Sequence, residues 1–157
     1  MKPIKTANKT AILYCACACI FLFSCKTTNS AAKPKEESQQ VSQNSDAKAL
    51  TYRNMAEAFT KQCPIKVDDT TDLIRVDYRE DPKALAYTYL FTKGVHADMD
   101  EQGWAITQQT VKTLLIENLK TNNLLYQIRA DGLGMIYIFK DKNDKELFTI
   151  TLEPGEF

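Results

Sequence analysis

The sequence predicts a two-layer α+β domain, a four-stranded antiparallel sheet with helices on one face, in the order α-β-β-α-(α)-β-β. Three observations carry this. Residues 47–63 and about 104–120 repeat apolar side chains at helical spacing. Residues 73–79, 84–93, 135–140 and 146–152 read as strands, the first alternating apolar with polar. Turn signals separate these strands in pairs, so they read as two hairpins. The chain of 157 residues suggests one domain. The stretch of about 110 residues that carries the pattern is long enough to bury a core.

Each element has its own justification. In the first helix Tyr52, Met55, Ala56, Phe59 and Cys63 fall on one face. Pro64 ends it, because the residue before a proline is pushed out of the α region. Ile74, Val76 and Tyr78 then alternate with Arg75, Asp77 and Arg79, as in a half-buried strand. Glu80-Asp81-Pro82-Lys83 is a turn, with Pro82 suited to the second position of type I. In the returning strand Leu85, Tyr87, Tyr89 and Phe91 point one way, and Ala86, Thr88 and Leu90 the other. Acidic residues 98, 100 and 101 precede the second helix, where its positive end favours them. That helix carries the stripe Val111, Leu114, Leu115, Leu119. The patch Leu124, Leu125, Tyr126, Ile128 reads as a short helix. Gly132 and Gly134 lead into the strand from Met135, and residues 141–145 form a hairpin loop before the last strand.

The N-terminus carries a different signal. Lys2, Lys5 and Lys9 precede an uncharged run from Ala11 to Ser24. A bilayer-spanning helix needs roughly 20 apolar residues, so this run is too short. A basic segment followed by a short apolar one reads as a secretory signal. Leu22-Phe23-Ser24-Cys25 closes it. This stretch resembles the lipobox of bacterial lipoproteins. The resemblance implies residues 1–24 as a lipoprotein signal peptide, cleavage before Cys25, and thioether and amide acylation of Cys25. Several acyl chains give lasting attachment where one gives marginal binding. Cys15, Cys17 and Cys19 are then part of the discarded apolar run. Lys26 replaces the aspartate that retains some lipoproteins in the inner membrane, which favours the outer membrane, facing the periplasm. The expected membrane partner is therefore reached through the lipid anchor.

Residues 25–46 are expected to be the lipidated cysteine and a disordered tether, since Val41 is the only large apolar residue after Cys25. About 20 such residues span about 25 Å. Residues 47–157 are the α+β domain. Without its first 24 residues the chain has 17 basic and 20 acidic side chains, a net charge of −3. Such a chain has no electrostatic footprint for nucleic acid.

A second resemblance rests on three short motifs. They are Cys63-Pro64 followed by Asp68, Leu85-x-Tyr87-x-Tyr89, and Tyr137-x-Phe139-x-Asp141, with Asp144 where a glycine is usual. Together they resemble a group of small exported bacterial proteins with no assigned activity, over about residues 50–153. The resemblance implies the element order and no chemistry. Members carry a second cysteine after the second helix, and Lys120-Thr121-Asn122-Asn123 here has none.

No catalytic residue, cofactor or metal site is expected. Cys63 reads as a small buried apolar side chain, and His96 is the single histidine. Asp98-x-Asp100 begins like a calcium loop, but the twelfth position is Gln109, so the bidentate ligand is missing. Asp141-x-Asn143 reads as a solvated turn, as does the cluster Asp68, Asp69, Asp72. Asp69-Thr70-Thr71 also matches a short motif that some Gram-negative bacteria use for O-glycosylation of exported proteins. The aromatics Tyr87, Tyr89, Phe91, Tyr137 and Phe139 are either core or a candidate binding face. The expected function is a membrane-anchored, non-catalytic envelope lipoprotein with an envelope protein as partner. The alternative is a small-molecule or peptide binder using the aromatic face.

Overall fold

The computed structural model describes the backbone of residues 37–157 and the side chains from residue 45 onward, Leu124 excepted. The expected signal peptide, Cys25 and the first part of the expected tether lie outside the described residues. The elements are α1 (Glu37–Thr60), β1 (Ile65–Lys66), β2 (Thr71–Glu80), β3 (Lys83–Phe91), α2 (Glu101–Thr121), α3 (Tyr126–Ala130), β4 (Gly134–Lys140) and β5 (Glu146–Leu152). Single 3-10 turns at His96–Asp98 and Asn123–Leu125 precede α2 and α3.

The α+β layering is as expected, and the sheet differs in two respects. Among the described residues it has five strands, in the spatial order β1-β2-β3-β4-β5. The extra one, β1, pairs only Ile65 with Leu73 and Lys66 with Asp72, and two residues leave no alternation to read. The sheet is also mixed, because β3 and β4 run parallel with Tyr87 beside Tyr137 and Tyr89 beside Phe139. The cause is the length of α2. Its 21 residues rise about 31 Å, and the nine residues of β3 extend about 30 Å. The helix returns the chain to the end where β3 began, so β4 runs in the same direction. Parallel neighbours require such a crossover. The other pairs are antiparallel, and β2 bulges at Ile74, between Leu73 and Arg75.

The first helix begins at Glu37, ten residues before the expected start, so part of the segment expected as tether is helical. Glutamine and glutamate are adequate helix formers, and the last upstream proline is Pro34. The expected turn lies between β2 and β3, where Glu80 pairs with Lys83; the Asp81–Pro82 bond within it is cis.

Both helices cover one face. α1 packs on β2 and α2 on β5. Tyr52 and Ala56 of α1, Leu115 and Leu119 of α2, and Leu85, Tyr87, Met135, Tyr137, Ile150 and Leu152 of the strands belong to one buried cluster. A smaller apolar set, Ala84, Ala86 and Ile136, lies on the opposite face. Two local devices close the joints. Arg129 Nη1 donates to the carbonyls of Leu119 (2.6 Å) and Asn122 (3.1 Å), which satisfies carbonyls left open at the end of α2. Asp144 sits in the left-handed region at φ 66°, a conformation that favours glycine. Aspartate tolerates it.

Candidate functional site

The aromatic candidates form a ladder across the two central strands. Ring centroids are 5.7 Å apart for Tyr87–Tyr137, 5.3 Å for Tyr89–Phe139 and 5.8 Å for Phe91–Phe139. Phe148 extends it at 4.7 Å from Phe139, and Trp104 lies 6.1 Å from Phe148. The ladder lies on the helix-bearing face. Tyr87, Tyr89, Tyr137 and Phe139 are buried and Phe91 is half-buried. Parallel register brings these rings side by side, and their burial supports the core reading.

The acidic candidates are occupied by backbone. Asp98 Oδ2 accepts from the Val95 N–H at 2.8 Å, and Asp100 Oδ1 caps α2 by accepting from the Gly103 N–H at 2.7 Å. Asp141 is not a solvated turn residue. It is 2 % exposed and accepts three backbone N–H groups, from His96 (2.9 Å), Asn143 (2.8 Å) and Lys145 (2.9 Å). The His96 N–H is the first cause holding this carboxyl below its ordinary range; burial opposes it, and Lys145 and Asn143 assist. Asp141 thus fastens the β3–α2 loop to the β4–β5 hairpin. His96 also gives its carbonyl to the Trp104 indole N–H at 2.9 Å. Cys63 is half-buried, with its thiol directed at the Phe59 carbonyl at 3.4 Å.

The surface with an unexplained character lies on α2. Ile106 is 61 % exposed. It stands nine residues from buried Leu115, two and a half turns, hence on the opposite side of the helix. Ile106, Gln109, Thr110, Thr113 and Leu114 form a shallow, open strip along the outer side of α2. None of the five is charged. Thr110 Oγ1 donates to the Ile106 carbonyl (2.9 Å) and Thr113 Oγ1 to the Gln109 carbonyl (3.1 Å). Their hydroxyls are thereby used within the helix, and these side chains add methyl groups to the strip. Exposed Met99 lies across the first turn, against the position a Cβ on Gly103 would take. Lys112 is drawn off to Glu156 of the C-terminal turn at 3.1 Å. Sequence reading placed Leu114 in the core stripe and passed over Ile106. The spacing 106, 110, 113, 114 is helical, but two of its members are threonines, which count as polar.

Residues 46–148 match a family described as a domain of unknown function (DUF8479). The chain belongs to this family. The DUF8479 match covers every element except the ends of α1 and β5. No curated protein matches the chain. Among solved structures, the type II secretion system pilotin AspS from Vibrio cholerae is similar at 7 % identity and a TM-score of 0.52. The match covers 74 % of this chain and 98 % of that one. The pilotin EpsS of the Vibrio vulnificus type 2 secretion system is similar at 10 % identity and a TM-score of 0.49, over 72 % of this chain and 94 % of that one. At 7 % identity the likeness to AspS is one of fold.

Proposed function

We propose that this chain is a lipid-anchored, non-catalytic domain of the bacterial envelope that docks a partner protein along the outer face of α2. The observation that carries the reading is the uncharged strip around Ile106, exposed on a helix that buries Trp104, Leu115 and Leu119 on its other side. A soluble surface helix ordinarily places charged residues there. An exposed apolar strip of this kind suits an apolar partner surface. The fold shared with a secretion-system pilotin supports a role in an envelope assembly. Acylation of Cys25 would hold the domain at the outer membrane, on its periplasmic side. The small-molecule alternative lacks an exposed aromatic face to start from, since the ladder is packed beneath the helices.

Two experiments test this. A photo-crosslinking residue is placed in living cells at Ile106, or at exposed Glu57 of α1 as a control. The expected result is one discrete heavier adduct from position 106 alone. No adduct at 106, or the same adducts at both positions, would sink the docking surface. Cys25→Ala is expected to move the protein from the membrane to the soluble envelope fraction. Unchanged membrane retention and mature size would refute the anchor.

A further inference from the structure

The turn from β1 to β2 contains a hydroxyl whose setting the proposed docking role does not use. Thr71 is the first residue of β2 and is 1 % exposed. Thr70, one residue earlier, is exposed. The backbone around it is fastened on both sides. The N–H groups of Val67 (2.9 Å) and Asp68 (3.2 Å) donate to the Thr71 carbonyl, and the Thr92 N–H donates to the Thr70 carbonyl at 2.8 Å. Asp68 Oδ1 accepts both the Thr70 N–H at 2.7 Å and the Thr70 hydroxyl at 2.8 Å. The other oxygen, Asp68 Oδ2, is buried without a hydrogen-bond partner among the described residues, so the carboxylate is aimed at Thr70 rather than at solvent. Asp69 is exposed and pairs with Lys66 at 3.0 Å.

A threonine hydroxyl is a weak nucleophile unless an adjacent group takes up its proton. Here the O–H is directed at a carboxylate, which leaves the oxygen lone pairs turned away from Asp68. The same residue is the middle one of Asp69-Thr70-Thr71, and burial of Thr71 leaves Thr70 as the accessible hydroxyl of that triplet.

We propose that Thr70 Oγ1 is the acceptor of an O-linked glycan. The donor class is a sugar activated as a polyprenyl diphosphate ester, presented by a membrane transferase. Oγ1 forms the bond to the anomeric carbon. The anomeric carbon–oxygen bond to the diphosphate breaks, and the diphosphate leaves with the electron pair. The hydroxyl proton passes to Asp68 Oδ1, which the O–H already faces, and from there to solvent. No oxidant or reductant is involved. The assignment rests on the export reading, since such donors face the envelope compartment.

The test is mass spectrometry of the full-length protein made in its native host, with the same sample fractionated into envelope and cytoplasm. The expected result is a glycan mass on the peptide carrying residue 70, its complete loss in Thr70→Ala, and its retention in Thr70→Ser. Thr70 is exposed, so both variants are expected to fold, as circular dichroism will verify. Envelope-located protein with a bare residue 70, or with sugar only elsewhere, overturns the glycan assignment and leaves export intact. Protein found only in the cytoplasm overturns export, and the glycan assignment with it.

Discussion

Tyr52→Phe probes how the first helix is held to the domain. The Tyr52 hydroxyl donates to Asp131 Oδ2 at 2.7 Å, and Lys48 Nζ donates to Asp131 Oδ1 at 2.6 Å. Burial alone would raise the Asp131 pKa. The bonds from Lys48 and Tyr52 outweigh it and hold the carboxyl below its ordinary range. Phenylalanine keeps the ring, which stacks on Tyr78 at 6.2 Å, and removes only the hydroxyl. A hydrogen bond to a charged group contributes about 1.5–3 kcal/mol. Lys48 still neutralises Asp131 in the variant, so the low end applies, about 1.5 kcal/mol. In a domain of this size that lowers Tm by about 6 °C. The sign with pH follows from the depressed carboxyl. Its stabilisation is present above the unfolded value of about 4 and is lost as pH falls below it. The deficit of Tyr52→Phe, read by thermal melts followed by circular dichroism, is therefore expected to be full at pH 7 and to shrink at about pH 2.5. A deficit equally large at the two pH values, or none at pH 7, would refute the link between α1 and Asp131.

Three further outcomes follow from single positions. Leu85→Ala removes a side chain with no exposed surface at the centre of the sheet; a loss of about 3 kcal/mol is expected in urea unfolding, and under 1 kcal/mol would place β3 away from the core. Gly134→Ala would set a Cβ 3.0 Å from the Leu152 carbonyl, a backbone atom that cannot swing aside; a cost of about 1–3 kcal/mol is expected by the same measurement, and a neutral result would contradict the β4–β5 packing. Asp141→Asn replaces an acceptor of three backbone N–H groups by an amide that cannot serve all of them. Because its carboxyl is held low, its contribution is present at neutral pH and lost as pH falls through the acid range. Faster amide exchange at His96 and Lys145 is expected at pH 7, and unchanged exchange would remove its fastening role.

Particular residues show where reading the sequence succeeded and where it stopped. The inward set Leu85, Tyr87, Tyr89, Phe91 was legible because alternation survives in a strand buried on both faces when one side is small, here Ala84 and Ala86. Tyr52 and Ala56 were legible from helical spacing. Asp141 was misread as a solvated turn because its three N–H partners come from its own hairpin and from His96, forty-five residues away. Ile106 was missed because threonine counts as polar until its hydroxyl is seen bonded within the helix.

Local pattern alone determined the α+β class, the two helices on one face and the two hairpins. Each depends on side-chain period or on neighbours within a few residues. Only the tertiary structure decided that β3 and β4 run parallel, that β1 adds a fifth strand, and that the aromatic ladder is packed beneath the helices. Those outcomes depend on where a helix about 31 Å long returns the chain and on pairings between distant segments, which no short window of sequence contains. The tertiary structure likewise left the strip around Ile106 facing outward, because α2 spends its opposite side on β5.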